Sequence, residues 1–196
     1  MTQTTKYKIT IITIISVFIG FIYINRKHLT SDFNLWRQTP NSATNEPKGQ
    51  MTNGKKNGNW TTTYKNGQLA REEYYLNDTL HGLQLVYYST GRPHIKKNFF
   101  KGKEIDSTLW YHTNGQINIE EFSDSSGLKQ GPFKIYYANG QPSQIGSWKD
   151  GQLDGESRSF YENGQLWVIC NYKLGQKIGK WIELSRTGDT VKVETY

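Results

Sequence analysis

Six glycines recur along the last two-thirds of the chain at a nearly constant interval: Gly67, Gly91, Gly115, Gly140, Gly164 and Gly188. The intervals are 24, 24, 25, 24 and 24 residues. A fixed period of this length marks a repeat architecture, in which a unit too small to bury a core alone packs against its neighbours. Each glycine follows a small polar residue: Asn66, Thr90, Asn114, Asn139, Asn163 and Thr187. Asn-Gly between aromatic and apolar runs is the strongest short signal for a β-hairpin, because a two-residue type I′ turn needs positive φ at both central positions. The period therefore predicts an all-β chain: an elongated antiparallel sheet of six consecutive β-hairpin repeats of about 24 residues.

Other positions keep the same register. Nine residues before the turn lie Gly58, Gly82, Gly131, Gly155 and Gly179, with Asp106 in the third copy. This position is expected to begin the first strand of each hairpin. Three before the turn stand Tyr64, Tyr88, His112, Tyr137, Tyr161 and Ser185; eight after it stand Tyr75, Phe99, Ser123, Trp148, Tyr172 and Tyr196. With Asn-Gly as a two-residue turn, Tyr64 faces Leu69 and Tyr161 faces Leu166 across the strands. Alternation then puts Tyr64, Leu69 and Tyr75 on one face, where stacked hairpins line their rings into a ladder. The composition agrees: 13 Tyr, 6 Trp and 19 Gly in a chain only 35% apolar suit thin β structure better than a thick helical core.

The segments G-x-W-x-x-x-Y-x-N-G-Q-L at 58–69 and G-x-x-x-x-F-Y-x-N-G-Q-L at 155–166 resemble the bacterial variant of the MORN repeat. The resemblance covers residues 58–196. Chains of this variant are grouped under the YwqK antitoxin name, which implies a protein that neutralises a cognate toxin by binding it. The third copy departs most, through Asp106 and His112, and reads as an interrupted or bulged hairpin. The sixth, with Thr187 and Ser185 at the turn, reads as a cap.

Ahead of the repeats, Ile9 to Asn25 forms a run of 17 residues without charge. That is near the lower limit for a membrane-spanning helix, and Lys8 and Arg26 can snorkel from its ends. No small-x-small site follows, so an uncleaved anchor is expected, with a cleaved signal peptide as its competitor. The polar stretch after it, with Pro40 and Pro47, reads as a flexible linker. The domains expected are an anchor at 1–28, a linker at 29–57 and the array at 58–196. A short leading tail favours an extracytoplasmic array on a single-pass membrane protein. The formal charge of +7 belongs mainly to residues 1–57, which carry +6, while the repeats carry +1. Basic charge beside a membrane segment is flanking charge; a nucleic-acid surface would need it on the fold.

No catalytic, cofactor-binding or metal-binding residue is assigned. His28, His81, His94 and His112 lack partners at ligand spacing, and His112 fills a tyrosine slot. Glu72-Glu73 and Glu120-Glu121 are adjacent on strands, so each pair is split between two faces. Lys96-Lys97 occupies the same positions in the intervening copy, which suggests cross-strand charge pairing. The chain is expected to be non-enzymatic, without a small-molecule substrate. It is expected to bind a protein, with a cognate toxin as the sharpest form. A membrane-lipid or envelope-carbohydrate surface is the alternative.

Overall fold

The computed structural model describes residues 44–196. The expected anchor and most of the expected linker lie outside them. Within the described residues no helix is long and apolar enough to cross a membrane.

The chain runs through β1 (Lys48–Thr52), β2 (Lys55–Thr63), β3 (Leu69–Leu76), β4 (Thr79–Leu80), β5 (Gly82–Tyr87), β6 (Pro93–Phe100), β7 (Lys103–Tyr111) and β8 (Ile117–Ser123). It continues through β9 (Gly131–Tyr136), β10 (Pro142–Lys149), β11 (Gln152–Leu153), β12 (Gly155–Phe160), β13 (Leu166–Lys173), β14 (Gln176–Leu184) and β15 (Thr190–Thr195). All belong to one open antiparallel sheet in sequence order, with the two-residue strands β4 and β11 as side pairings of β3 and β10. There is no crossover, so every repeat touches only its neighbours, as the period predicts.

The turns differ from expectation in a specific way. Each Asn-Gly site is a three-residue loop: Tyr64 N–H donates to Gln68 O at 2.8 Å and Gly67 N–H to Tyr64 O at 2.9 Å. The same pair of bonds recurs at Tyr88, His112, Tyr137, Tyr161 and Ser185. Only the glycine has positive φ, 85° at Gly67 and 84° at Gly164. A type I turn followed by a left-handed bulge glycine has this form. The asparagine serves by its side chain: Asn66 Oδ1 accepts the Gln68 N–H at 3.1 Å, and Asn66 Nδ2 donates to Ser89 O in the next turn at 3.0 Å. One extra loop residue shifts the pairing, so Thr63 faces Leu69 and Phe160 faces Leu166.

The two-residue turns with positive φ at both positions lie on the opposite edge, where one hairpin passes to the next. They are Asn53-Gly54, Asn77-Asp78, Lys101-Gly102, Asp150-Gly151 and Leu174-Gly175. Between β8 and β9 the corresponding loop has three residues, closed by Asp124 N–H to Leu128 O and Gly127 N–H to Asp124 O, both at 2.9 Å. That loop absorbs the additional residue of the single 25-residue interval.

The position nine before the turn begins a strand, as expected, at Gly82, Gly131 and Gly155, but lies inside β2, β7 and β14 at Gly58, Asp106 and Gly179. Its φ is positive in every copy: 72° at Gly58, 74° at Gly82, 60° at Asp106, 70° at Gly131, 99° at Gly155 and 65° at Gly179. It sits opposite the residue eight after the turn: Gly58 faces Tyr75, Gly82 faces Phe99, Gly131 faces Trp148 and Gly155 faces Tyr172. A ring across the strand covers the bare glycine backbone. The copy with Asp106 in place of glycine has Ser123 opposite it in place of a ring.

The array also begins earlier than residue 58. Strand β1 and the start of β2 occupy residues assigned to the linker, joined by the Asn53-Gly54 turn. The physical reason is Trp60. Its ring lies on Gly49 so closely that a Cβ there would come within 2.4 Å of Trp60 Cδ2. β1 therefore covers a tryptophan that would otherwise face water.

Candidate interaction surface

A pleated strand sends alternate side chains to opposite faces, and the registers assemble them into rows that cross the whole sheet. One row runs Gly49, Trp60, Glu73, Gln84, Lys97, Thr108, Glu121, Phe133, Gly146, Ser157, Cys170, Trp181 and Glu194. Trp60, Glu73, Thr108, Phe133, Ser157, Cys170 and Trp181 are all buried, which defines the inner face. The adjacent row, from Thr61 through Glu72, Leu85, Lys96, Leu109, Glu120, Lys134, Ile145, Arg158, Ile169 and Ile182 to Val193, contains no buried member. It lies on the outer face.

The tyrosines before the turns tie copy to copy. The hydroxyl of Tyr64 donates to Tyr87 O at 2.6 Å, Tyr88 to Tyr111 O at 2.6 Å, Tyr137 to Phe160 O at 2.7 Å and Tyr161 to Leu184 O at 2.8 Å. His112 continues the ladder, its Nε2 lying 2.8 Å from Tyr136 O. A carbonyl only accepts, so that nitrogen carries the proton. Burial pushes the Tyr88 hydroxyl up to about 12, which keeps it a donor at any ordinary pH.

The inner face changes character along the array. In copies four to six it is apolar, with Phe133, Leu153, Val168, Cys170, Tyr172 and Trp181 packed together. In copies one to three it holds a polar network beside the buried Trp60 and Val86. Glu73 accepts from Gln84 Nε2 at 2.7 Å and from the Tyr75 hydroxyl at 3.2 Å. Lys97 pairs with Glu104 at 2.6 Å, Thr108 donates to the other Glu104 oxygen at 2.7 Å, and Lys129 pairs with Glu121 at 2.6 Å. Burial alone would raise the Glu104 pKa, but the bonds from Lys97 and Thr108 outweigh it and hold the carboxyl below its ordinary range. Both ends of the array repeat one cluster. Lys56 lies 4.5 Å from the Trp60 ring centre and 4.8 Å from that of Tyr75; Lys177 lies 3.9 Å from Trp181 and 5.0 Å from Tyr196.

The outer face carries exposed apolar side chains toward both ends of the array, Ile178 and Val193 among them in the sixth copy. Tyr74, Leu76, Leu83, Phe100 and Phe122 stand 39–49% exposed in the first three copies. The equivalent positions of the last three copies carry Pro132, Ser147, Lys149, Glu156, Asn171, Lys173, Lys180 and Thr195. The exposed apolar residues lie toward the edge of the two-residue turns, where Lys101 sits 5.3 Å above the Phe100 ring.

The residues singled out by sequence fall within this frame. Glu72 and Glu73 part as expected, Glu72 accepting from the Tyr87 hydroxyl at 2.7 Å and Glu73 joining the inner network. Their charge partners are not the lysines of the neighbouring hairpin: Leu85 stands between Glu72 and Lys96 on the outer row. The direct outer pairing is Glu120 with Lys134. His94 stacks on Tyr88 at 4.2 Å between ring centres, and burial lowers its pKa. His81 lies against Phe100 at 5.3 Å. Cys170 is buried, and burial raises its thiol pKa. No group of three or more His, Cys, Asp or Glu able to hold a metal ion occurs among the described residues. Sequence reading missed the outer apolar strip. Its signal was the replacement of Tyr74, Leu76, Phe100 and Phe122 by polar residues one to three periods later.

The family model of the MORN repeat variant matches the chain at residues 56–77, 129–150 and 153–174. These three stretches coincide with the first, fourth and fifth hairpins. No curated protein matches the chain significantly. Among solved structures, 23 chains match. One belongs to a GtfA/B complex crystallised with UDP and GlcNAc, at 13% identity over 59% of this chain and 22% of that one, with a TM-score of 0.25. The chain thus spans about a fifth of the length of that protein, and the likeness carries no argument about function.

Proposed function

We propose that this chain is a non-enzymatic scaffold that binds a protein partner through the outer face of its first three copies, tethered to a membrane by residues 9–25. MORN repeats are generally associated with protein or membrane-lipid binding. The carrying observation is the set Tyr74, Leu76, Leu83, Phe100 and Phe122, each 39–49% exposed on the outer face of the first three copies. Large aromatic and aliphatic side chains left in water on one face supply the anchors that partner surfaces bury. An antitoxin-like or immunity-like role toward a cognate toxin is the sharpest form of this reading. It is supported by the YwqK-like N-G-Q-L turns at 66–69 and 163–166.

The test is site-specific photocrosslinking in the native host, with a photoreactive residue at Leu83 or at Glu156. A discrete protein adduct at Leu83, absent at Glu156 and lost on Tyr74→Ser with Phe100→Ser, supports the reading. Equal adducts at both sites, or none at Leu83, sink it. Lipid adducts alone at Leu83 would transfer the surface to the membrane alternative.

A further inference from the structure

Nothing lies behind a single-layer sheet to set its curvature; the side chains on its inner face do that. In copies four to six those contacts are apolar and insensitive to ions. From β6 to the start of β9 they are a chain of alternating charge. Lys97 on β6 meets Glu104 on β7, and Lys129, just ahead of β9, meets Glu121 on β8. Lys129 also acts electrostatically on Glu104, which links the two pairs. Lys97, Glu104 and Lys129 are between 20% and 40% exposed, so counter-ions reach the chain. Other departures from the repeat gather in the same place: Asp106 for glycine, Ser123 for a ring, His112 for tyrosine and the three-residue loop after Asp124.

We infer that the array has one ionic joint, between β6 and β9, at which the sheet changes its curvature with ionic strength while the copies after it move as a stiff body. The groups facing this joint are Lys97, Glu104, Thr108, Glu121 and Lys129, with Lys97 also 5.2 Å from the Trp110 ring. Screening shortens the reach of each charge from about 10 Å at 0.1 M salt to about 3 Å at 1 M. The four charges then hold their strands together less firmly, and water replaces them as partners.

The experiment uses the full chain in nanodiscs, with Cys170→Ser and spin labels placed in pairs. Leu83 on β5 and Pro132 on β9 span the joint; Pro132 and Lys180 on β14 span as many strands beyond it. The expected result is a broader Leu83–Pro132 distance distribution that widens further from about 0.1 M to about 1 M salt, with the Pro132–Lys180 distribution narrow and unmoved. Lys97→Glu should widen the first distribution at low salt, and adding Glu104→Lys should restore it. Distributions of equal width that ignore salt would overturn the inference. So would a widening that the reversed pair fails to cure. The nanodisc sample holds no partner, so the outcome does not depend on the binding proposed for the outer face.

Discussion

The first three hairpins and the last three share one backbone plan and differ in the side chains set between the turns. In the later copies Phe133, Val168, Cys170 and Trp181 pack inward, while Lys149, Glu156 and Lys180 face out. In the earlier ones Glu73, Lys97, Glu104 and Glu121 lie inward, and Tyr74, Leu83, Phe100 and Phe122 face out. A repeat fold tolerates this because its invariant parts are the turns, the positive-φ position and the tyrosine ladder, all of which use backbone partners. The side chains between them are free to specialise. On the proposed reading, the later copies supply most of the stability and the earlier ones the binding surface.

The largest expected effect would break that division if it failed. Trp181→Ala removes a buried ring from the apolar half and should cost about 3 kcal/mol, the usual scale for truncating a large core aromatic. Denaturant unfolding of the chain checks it, and a cost below about 1 kcal/mol would mean that the later copies are not the stable half. Tyr161→Phe sharpens the role of the ladder. It leaves Leu184 O without its donor and should cost about 1 kcal/mol. Hydrogen exchange should show the opening confined to the fifth and sixth hairpins.

Lys97→Met strands the Glu104 carboxylate in a half-buried site and should cost about 1 kcal/mol at low salt, and less at high salt. Salt-dependent melting of the variant against the parent measures the difference. Acid should act on the same pair. The Glu104 pKa is held below its ordinary 4.5, so the stability it contributes is present above that value and is lost as pH falls through the folded pKa. Below about pH 4.5 residues 96–129 should lose exchange protection before residues 166–184 do. The smallest effect is expected for Tyr74→Ser, which should leave stability within about 0.5 kcal/mol because the ring is exposed. A large loss would show that the outer strip is structural.

The number of hairpins, their order and the antiparallel sheet were legible from the 24-residue period and the recurring aromatic positions. The turn chemistry was misread because Asn-Gly is compatible with two loop types. The longer loop forms in all six copies, and at Asn66, Asn114 and Asn139 a side-chain bond to the neighbouring turn supports it. The true two-residue turns were overlooked because their sequences vary from copy to copy: Asn53-Gly54 and Asp150-Gly151 carry the hairpin signal, but Lys101-Gly102 and Leu174-Gly175 do not. The start at β1 was missed because Gly49 looks like linker until Trp60 is seen lying on it. The make-up of each face depends on which residues share a row, and one shifted residue per loop moves every row.

The most direct test of the account is hydrogen exchange of the full chain at low and high salt, resolved to single hairpins. The account predicts that residues 166–184 keep their protection at about 1 M salt while residues 96–129 lose part of theirs. Equal loss along the whole array, or loss first among residues 166–184, would contradict it.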